Sequence, residues 1–184
     1  MEKFSNKFKE DVSKETVKNK LRSVIDFPKE GINFQDISGV LMHPDSYRFV
    51  VKDIADNIKN DNIDVVVGLD ARGFILGPMI ADKLNVGFAM VRKPGKMPPP
   101  YIEQEYELEY GTNTISISSE YIDKGMNVHL HDDVIVTAGT LNAAIKLVEQ
   151  IGANVVSIST IIEMSELKGR NKIKGYKLYS FLII

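Results

Sequence analysis

Val128-His129-Leu130-His131-Asp132-Asp133-Val134-Ile135-Val136-Thr137-Ala138-Gly139-Thr140 decides the reading of this chain. It begins as an apolar, β-branched strand and reaches two adjacent carboxylates where that strand is expected to end. A small hydroxyl-bearing turn then leads into a helix expected from near Leu141. A strand feeding a helix N-terminus leaves backbone N–H groups unpaired, and the helix dipole adds positive character there. With the hydroxyls of Thr137 and Thr140, those donors make a cradle for a phosphate. Two aspartates just ahead of such a cradle would repel an anion unless the ligand offers hydroxyl donors or brings a hard cation such as Mg²⁺. A ribose phosphate meets both conditions.

Outward from this stretch the chain alternates between strand and helix. Residues 63–68 form an apolar β-branched run, 73–84 carry a helical pattern, 87–91 read as the next strand and 94–100 as a Pro-rich loop. Residues 128–131, 141–151 and 155–162 complete a second strand–helix–strand unit, with Gly152 stopping the helix and Leu141, Ala144, Ile145 and Val148 forming its apolar stripe. Apolar strands alternating with helices predict an α/β fold, a mostly parallel twisted sheet flanked by helices. Ligands bind such sheets beyond the carboxyl ends of the strands, where Asp70, Arg72, Arg92, Asp132 and Asp133 are expected. Asp45 is placed to cap a helix through Tyr47, Val51, Ile54 and Ile58. Residues 1–20 read as a polar leader and 21–184 as a single domain.

Composition bounds the function. The 184 residues are 43% hydrophobic with a formal net charge of −2, which argues against a nucleic-acid binder. There is no cysteine, hence no disulfide and no thiolate nucleophile. No apolar run reaches membrane-spanning length and the charged N-terminal residues lack the apolar core of a secretory signal, so no membrane association and a cytoplasmic location are expected. The chain contains no G-x-G-x-x-G, and Gly68-Leu69-Asp70-Ala71-Arg72-Gly73 lacks the Lys-Ser/Thr of a P-loop, which removes nicotinamide chemistry and NTP hydrolysis in their usual forms.

Several segments together resemble the adenine phosphoribosyltransferases. Residues 65–78, Val-Val-Val-Gly-Leu-Asp-Ala-Arg-Gly-Phe-Ile-Leu-Gly-Pro, are similar to that family's pyrophosphate loop, and Val91-Arg92-Lys93-Pro94-Gly95-Lys96 to its R-K-x-G-K segment. Glu107-Leu108-Glu109-Tyr110-Gly111 resembles its L-E-Y-G, and residues 163–170 its E-L-x-x-L-K-G-R. Residues 26–37 look like its D-F-P-x-x-G-I-x-F-x-D-I, and the aspartate pair with its turn like the ribose-5-phosphate signature of type I phosphoribosyltransferases. The resemblance runs from about Leu21 to the C-terminus.

It implies a type I phosphoribosyltransferase fold with a small base-binding hood from the N-terminal region. The implied reaction transfers ribose 5-phosphate from phosphoribosyl pyrophosphate (PRPP) to adenine, giving AMP and pyrophosphate. By resemblance Val136, Thr137, Ala138, Gly139 and Thr140 hold the 5-phosphate, and Asp132 and Asp133 accept from the ribose hydroxyls. Asp70, Ala71, Arg72, Arg92, Lys93 and Lys96 face the pyrophosphate, with a non-proline cis peptide in the loop at 70–72. Phe27, Asn33, Gln35 and Val134 line the adenine site, largely through main-chain contacts at Asn33 and Gln35. Glu109 serves as catalytic carboxylate beside Asp132 and Asp133, and Tyr110 lines the closed site. Mg²⁺ is the implied cofactor, held by PRPP and water rather than directly by protein, and a homodimer is the implied assembly.

The chain departs from the family in places. Thr-Ala-Gly-Thr stands for the usual Thr-Gly-Gly-Thr, and orotate phosphoribosyltransferases carry the same Thr-Ala-Gly-Thr turn. Gln35 stands where arginine is common and Asn33 where an apolar residue is common, while Met97-Pro98-Pro99-Pro100 replaces a glycine-containing segment. Transfer to hypoxanthine, guanine or orotate, and a non-catalytic PRPP- or nucleotide-sensing protein on the same fold, therefore stay open. His129 and His131 fall on one strand face ahead of the aspartates, a pattern of metal hydrolases, though packed or hydrogen-bonded strand histidines are the plainer expectation. Lys168 and Arg170 read as solvated charges.

Overall fold

The computed structural model describes residues 12–107 and 112–184. The chain divides into two compact units, residues 1–53 and 54–184. In the first, helix α1 (Lys14–Lys18) starts with a capping box: the Ser13 side chain accepts from the Thr16 backbone N–H, and the Thr16 hydroxyl oxygen accepts from the Ser13 N–H. Val17 in this helix is fully buried, so the polar segment at residues 1–20 contains at least one core position. Strands β1 (Arg22–Val24) and β2 (Phe34–Asp36) pair antiparallel, followed by the short helix α2 (Ser38–Leu41). Helix α3 (Pro44–Ile58) begins with proline at its first position, where a missing N–H costs nothing, so Asp45 lies in its first turn rather than capping it.

The second unit is built from β3 (Val65–Leu69), α4 (Gly73–Leu84), β4 (Gly87–Arg92), β5 (Tyr101–Glu107), β6 (Thr112–Ser118), β7 (Asn127–Ile135), α5 (Gly139–Ile151), β8 (Asn154–Glu163) and β9 (Leu178–Ile183). Among the described residues these strands form one seven-stranded sheet, ordered β5-β6-β4-β3-β7-β8-β9. Pairings from β4 through β3, β7 and β8 to β9 are all parallel, and the β5–β6 hairpin joins antiparallel beside β4. The chain leaves β3 for β4 on one side and later returns to β7 on the other. That reversal is the topological switch point, and it opens a crevice at the carboxyl ends of β3 and β7.

The core follows the expected apolar stripe: Leu141, Ala144, Ile145 and Val148 of α5 are at most 2% exposed and join Val65, Val67, Leu130 and Ile158 of the sheet in one cluster. Each such fully buried Leu, Ile or Val side chain contributes on the order of 1.5–3 kcal/mol. On the opposite side, α4 approaches the sheet closely at Gly73, where a Cβ would meet the His131 carbonyl oxygen at 2.5 Å. Among the described residues no helix is long and apolar enough to cross a membrane.

Among the differences from the sequence reading, two shape the region around the site. Strand β7 continues past the aspartates to Ile135 because β8 keeps pairing with it: Asp132 faces Thr160, Val134 faces Ile162 and Ile135 faces Glu163. The β5–β6 hairpin, a separate antiparallel addition, has no counterpart in the βαβ pattern.

Candidate functional site

The turn after β7 shows why it can receive an anion. Ala138 adopts a left-handed conformation (φ 59°, ψ 15°) that reverses the chain, and α5 begins at Gly139. Such a conformation costs a non-glycine residue roughly 1–2 kcal/mol. The Ala138 methyl is buried against the core, which offsets part of that cost and explains how alanine is tolerated where glycine is usual. The C-terminal segment supports the turn from behind. Gly169 packs so closely that a Cβ there would collide with the Val136 carbonyl oxygen and lie 3.2 Å from the Ala138 nitrogen.

The turn, the aspartate pair and the loop after β3 surround one cavity of ≈ 400 Å³. Its walls include Asp70, Ala71, Arg72, Lys93, Asp132, Asp133 and Val134, together with residues 136–140. The peptide between Asp70 and Ala71 is cis, as the resemblance implies. Arg72 Nε lies 2.9 Å from Asp133 Oδ2, yet no hydrogen bond from the described residues reaches that oxygen, and it is buried. Beside the Arg72 ion pair it keeps a lone pair to which a ligand hydroxyl can donate. Burial pushes the Asp133 carboxyl above its ordinary range, with Arg72 opposing. Desolvation and the adjacent Asp133 charge push Asp132 well above it. The pair therefore resists carrying two negative charges until hydroxyl donors or a cation arrive.

Asp70 plays a different part from its neighbours. Its carboxylate, 4% exposed, accepts from Arg92 Nε at 3.2 Å and from the Lys93 N–H at 3.4 Å, with Lys96 Nζ at 3.6 Å. Burial opposes its charge, but the Arg92 and Lys93 hydrogen bonds and the Lys96 and Arg92 charges outweigh this and hold its pKa below the usual carboxylate range. The acid thus gathers cations at the loop edge, so Arg92 and Lys96 stand on Asp70 rather than among the residues lining the cavity.

Three of the residues expected at the adenine site, Phe27, Asn33 and Gln35, belong to the first unit, and the fourth, Val134, to the second. Phe27 is half exposed and edge-on to Phe34, with ring centroids 5.4 Å apart. Gln35 is buried: its Oε1 accepts from the Ser23 hydroxyl at 3.1 Å and its Nε2 donates to Asn33 Oδ1 at 3.2 Å. The Gln35 side chain is thereby engaged within the β1–β2 region. Glu109 and Tyr110 lie outside the described residues.

His129 and His131 form a ladder with serines of β8. His129 Nδ1 is 2.8 Å from Ser157 Oγ, His129 Nε2 is 2.7 Å from Ser159 Oγ, and His131 Nδ1 is 2.9 Å from Ser159 Oγ. Both nitrogens of His129 are engaged, which removes the lone pair a metal would need. Desolvation holds His129 well below the usual imidazole range and lowers His131 from 6.5 to about 4. Between those two pH values the unfolded chain binds protons that the folded chain refuses, so this ladder destabilises the fold as pH falls from 6.5 toward 4. His131 alone accounts for about 3 kcal/mol across that window. The raised aspartates act in the opposite sense, so the comparison isolates the ladder: His129→Val/His131→Val should show a flatter fall in urea-unfolding free energy on acidification than the wild type. Equal slopes would contradict this.

Three residues outside the sequence-predicted set bear on the site. Arg170 is not a free surface charge: it binds Glu163 through Nε at 2.8 Å and Nη2 at 2.5 Å, and its Nη1 donates to the Leu178 carbonyl at 3.1 Å. This clamp fixes the segment that presents Gly169 to the turn. The Lys-Gly-Arg string signalled it, but its spatial neighbour could not be read from the string. Tyr106 of β5 reaches the turn, with its hydroxyl 3.4 Å from Thr140 Oγ1.

Comparisons with known proteins agree on one family. Residues 43–182 match the phosphoribosyl transferase domain model. The chain is 44% identical over 166 residues to the adenine phosphoribosyltransferase of Methanococcus vannielii, covering 90% of this chain and 96% of that one. Its fold is similar to the crystal structure of adenine phosphoribosyltransferase from Thermoanaerobacter pseudethanolicus (TM-score 0.91, 38% identity, 94% of this chain and 100% of that chain). It is also similar to the Saccharomyces cerevisiae enzyme complexed with adenine and an imino-altritol bisphosphate (TM-score 0.86, 35% identity, 92% and 98%).

Proposed function

The chain belongs to the adenine phosphoribosyltransferases, and we propose from that premise how its residues divide the transfer of ribose 5-phosphate from PRPP to adenine among themselves. The reaction yields AMP and pyrophosphate, and it makes the protein a pentosyl transferase of purine salvage. The Thr-Ala-Gly-Thr turn leaves other bases and a sensing role conceivable from sequence; the relatives favour adenine and catalysis.

The observation that carries the site assignment is the cavity joining the phosphate turn, the aspartate pair and the Asp70–Arg72 loop. In this reading residues 136–140 hold the 5-phosphate by neutral donors, with the α5 dipole behind them. Asp133, which keeps a lone pair beside its Arg72 ion pair, and its neighbour Asp132 accept from the ribose hydroxyls. Arg72 and Lys93 meet the diphosphate from the cavity wall, and Arg92 and Lys96 reinforce them from Asp70. Positive charge develops at the ribose C1 as the diphosphate leaves, and the base nitrogen attacks from the opposite face. The protein's work is to orient the two partners, neutralise the departing diphosphate and exclude water. For the base, Phe27 offers a stacking face and Asn33 and Gln35 offer main-chain groups. Glu109 assists proton movement on the base.

The oxygen-rich aspartate pair, which favours a cation or donors over two bare charges, fits Mg²⁺ carried in by PRPP with its waters. That ion supplies charge neutralisation of the diphosphate. Residues 21–184 act as one functional domain, and the enzyme works as a cytoplasmic homodimer. Adenine, PRPP and Mg²⁺ together should give AMP and pyrophosphate in equal amounts, and excess chelator should stop the reaction. Undiminished turnover with chelator would remove the metal from the account.

A further inference from the structure

Tyr106 belongs to none of the motifs that carry the family resemblance, yet it stands at the phosphate turn. Strand β5 packs along α5, and the Tyr106 ring lies against the core cluster beneath that helix. Its hydroxyl is 3.4 Å from Thr140 Oγ1, and both residues line the site cavity. We propose that Tyr106 is a further ligand of the ribose 5-phosphate, its phenol donating to a phosphate oxygen seated in the turn; this rests on the reading of residues 136–140 as the 5-phosphate site.

The proton count supports it. Each hydroxyl has one proton to give and two lone pairs to accept with. When Thr140 donates to Tyr106, the phenolic proton remains for a third group, and the reverse arrangement leaves the threonine proton. A phosphate accepts without donating, so the pair always has a proton to offer it. The turn itself brings no cation: from Val134 to Leu141 there is no lysine or arginine, so the turn contributes neutral donors only. One additional phenol then matters more than it would beside a guanidinium.

The contact has a positional consequence. Tyr106 pairs across the hairpin with Asn113, which also lines the cavity, and Glu109 is three residues further along the chain. A phosphate that engages Tyr106 ties the end of β5 to the first turn of α5.

Tyr106→Phe removes the hydroxyl and keeps the ring in its packing. Titration calorimetry with ribose 5-phosphate should show roughly tenfold weaker binding by the variant, a loss typical of one hydrogen bond to a charged group. Pyrophosphate binding should be unchanged. In steady state KM for PRPP should rise while KM for adenine stays. Equal ribose 5-phosphate affinity in both proteins overturns the proposal, as does equal weakening toward ribose 5-phosphate and pyrophosphate, which marks a general structural loss. Wild-type protein that binds no ribose 5-phosphate at all overturns the functional reading, and this proposal with it.

Discussion

Asp132→Asn/Asp133→Asn should lower kcat/KM for PRPP by about 10³-fold, because hydrogen bonds to a charged acceptor are worth roughly 1.5–3 kcal/mol each and two such acceptors are lost. Asparagine keeps the shape and an amide oxygen, so the substitution tests charge rather than packing. The same change should leave the thermal midpoint level or raise it. Burial pushes both carboxyls above their ordinary range, which means the folded protein holds these charges at a cost in stability. Opposite movement of activity and stability marks residues kept for function. Activity within tenfold of wild type would show that the pair does not hold the ribose.

Gly169→Ala should cost about 10²-fold in kcat/KM for PRPP although Gly169 lines no part of the cavity. The added Cβ would collide with the Val136 carbonyl oxygen and lie 3.2 Å from the Ala138 nitrogen, so backbone rather than a flexible side chain must move. The segment bearing Gly169 cannot easily retreat, because Arg170 is clamped to Glu163 and to the Leu178 carbonyl. The turn therefore shifts, and a displacement near 1 Å is enough for a loss of about 10²-fold. Adenine binding should be little affected, so the effect appears in KM for PRPP and in the affinity for ribose 5-phosphate. A Gly169→Ala protein with wild-type PRPP kinetics would contradict this support role.

The central βαβ pattern was legible because each of its elements buries an apolar stripe whose spacing is visible in one dimension. Helix α4 begins and ends where the Gly73–Leu84 periodicity does, and the stripe of α5 is the one the sequence draws. The hairpin was not legible in the same way. Ile115 and Ile117 alternate with serines, but Ser116 is as buried as they are, so the polar face of that strand is not an exposed face. Strand β7 misled at its end because carboxylates suggest solvent, whereas pairing with β8 carries the ladder through them to Ile135. Within the site, short-range strings identified the phosphate turn and the Asp70–Arg72 loop. Contacts across long sequence separations were hidden: Gly169 against Val136, Tyr106 against Thr140, and Asp70 gathering Arg92 and Lys96. Such contacts come from topology, which no local string encodes.

The measurement that bears most directly on the central claim is a base competition. Purified protein with PRPP and Mg²⁺ is given adenine, hypoxanthine, guanine and orotate in equal amounts, and the nucleotides formed are resolved. The account predicts AMP as the dominant product, released with an equal amount of pyrophosphate; no AMP, or a larger yield of another nucleotide, would contradict it.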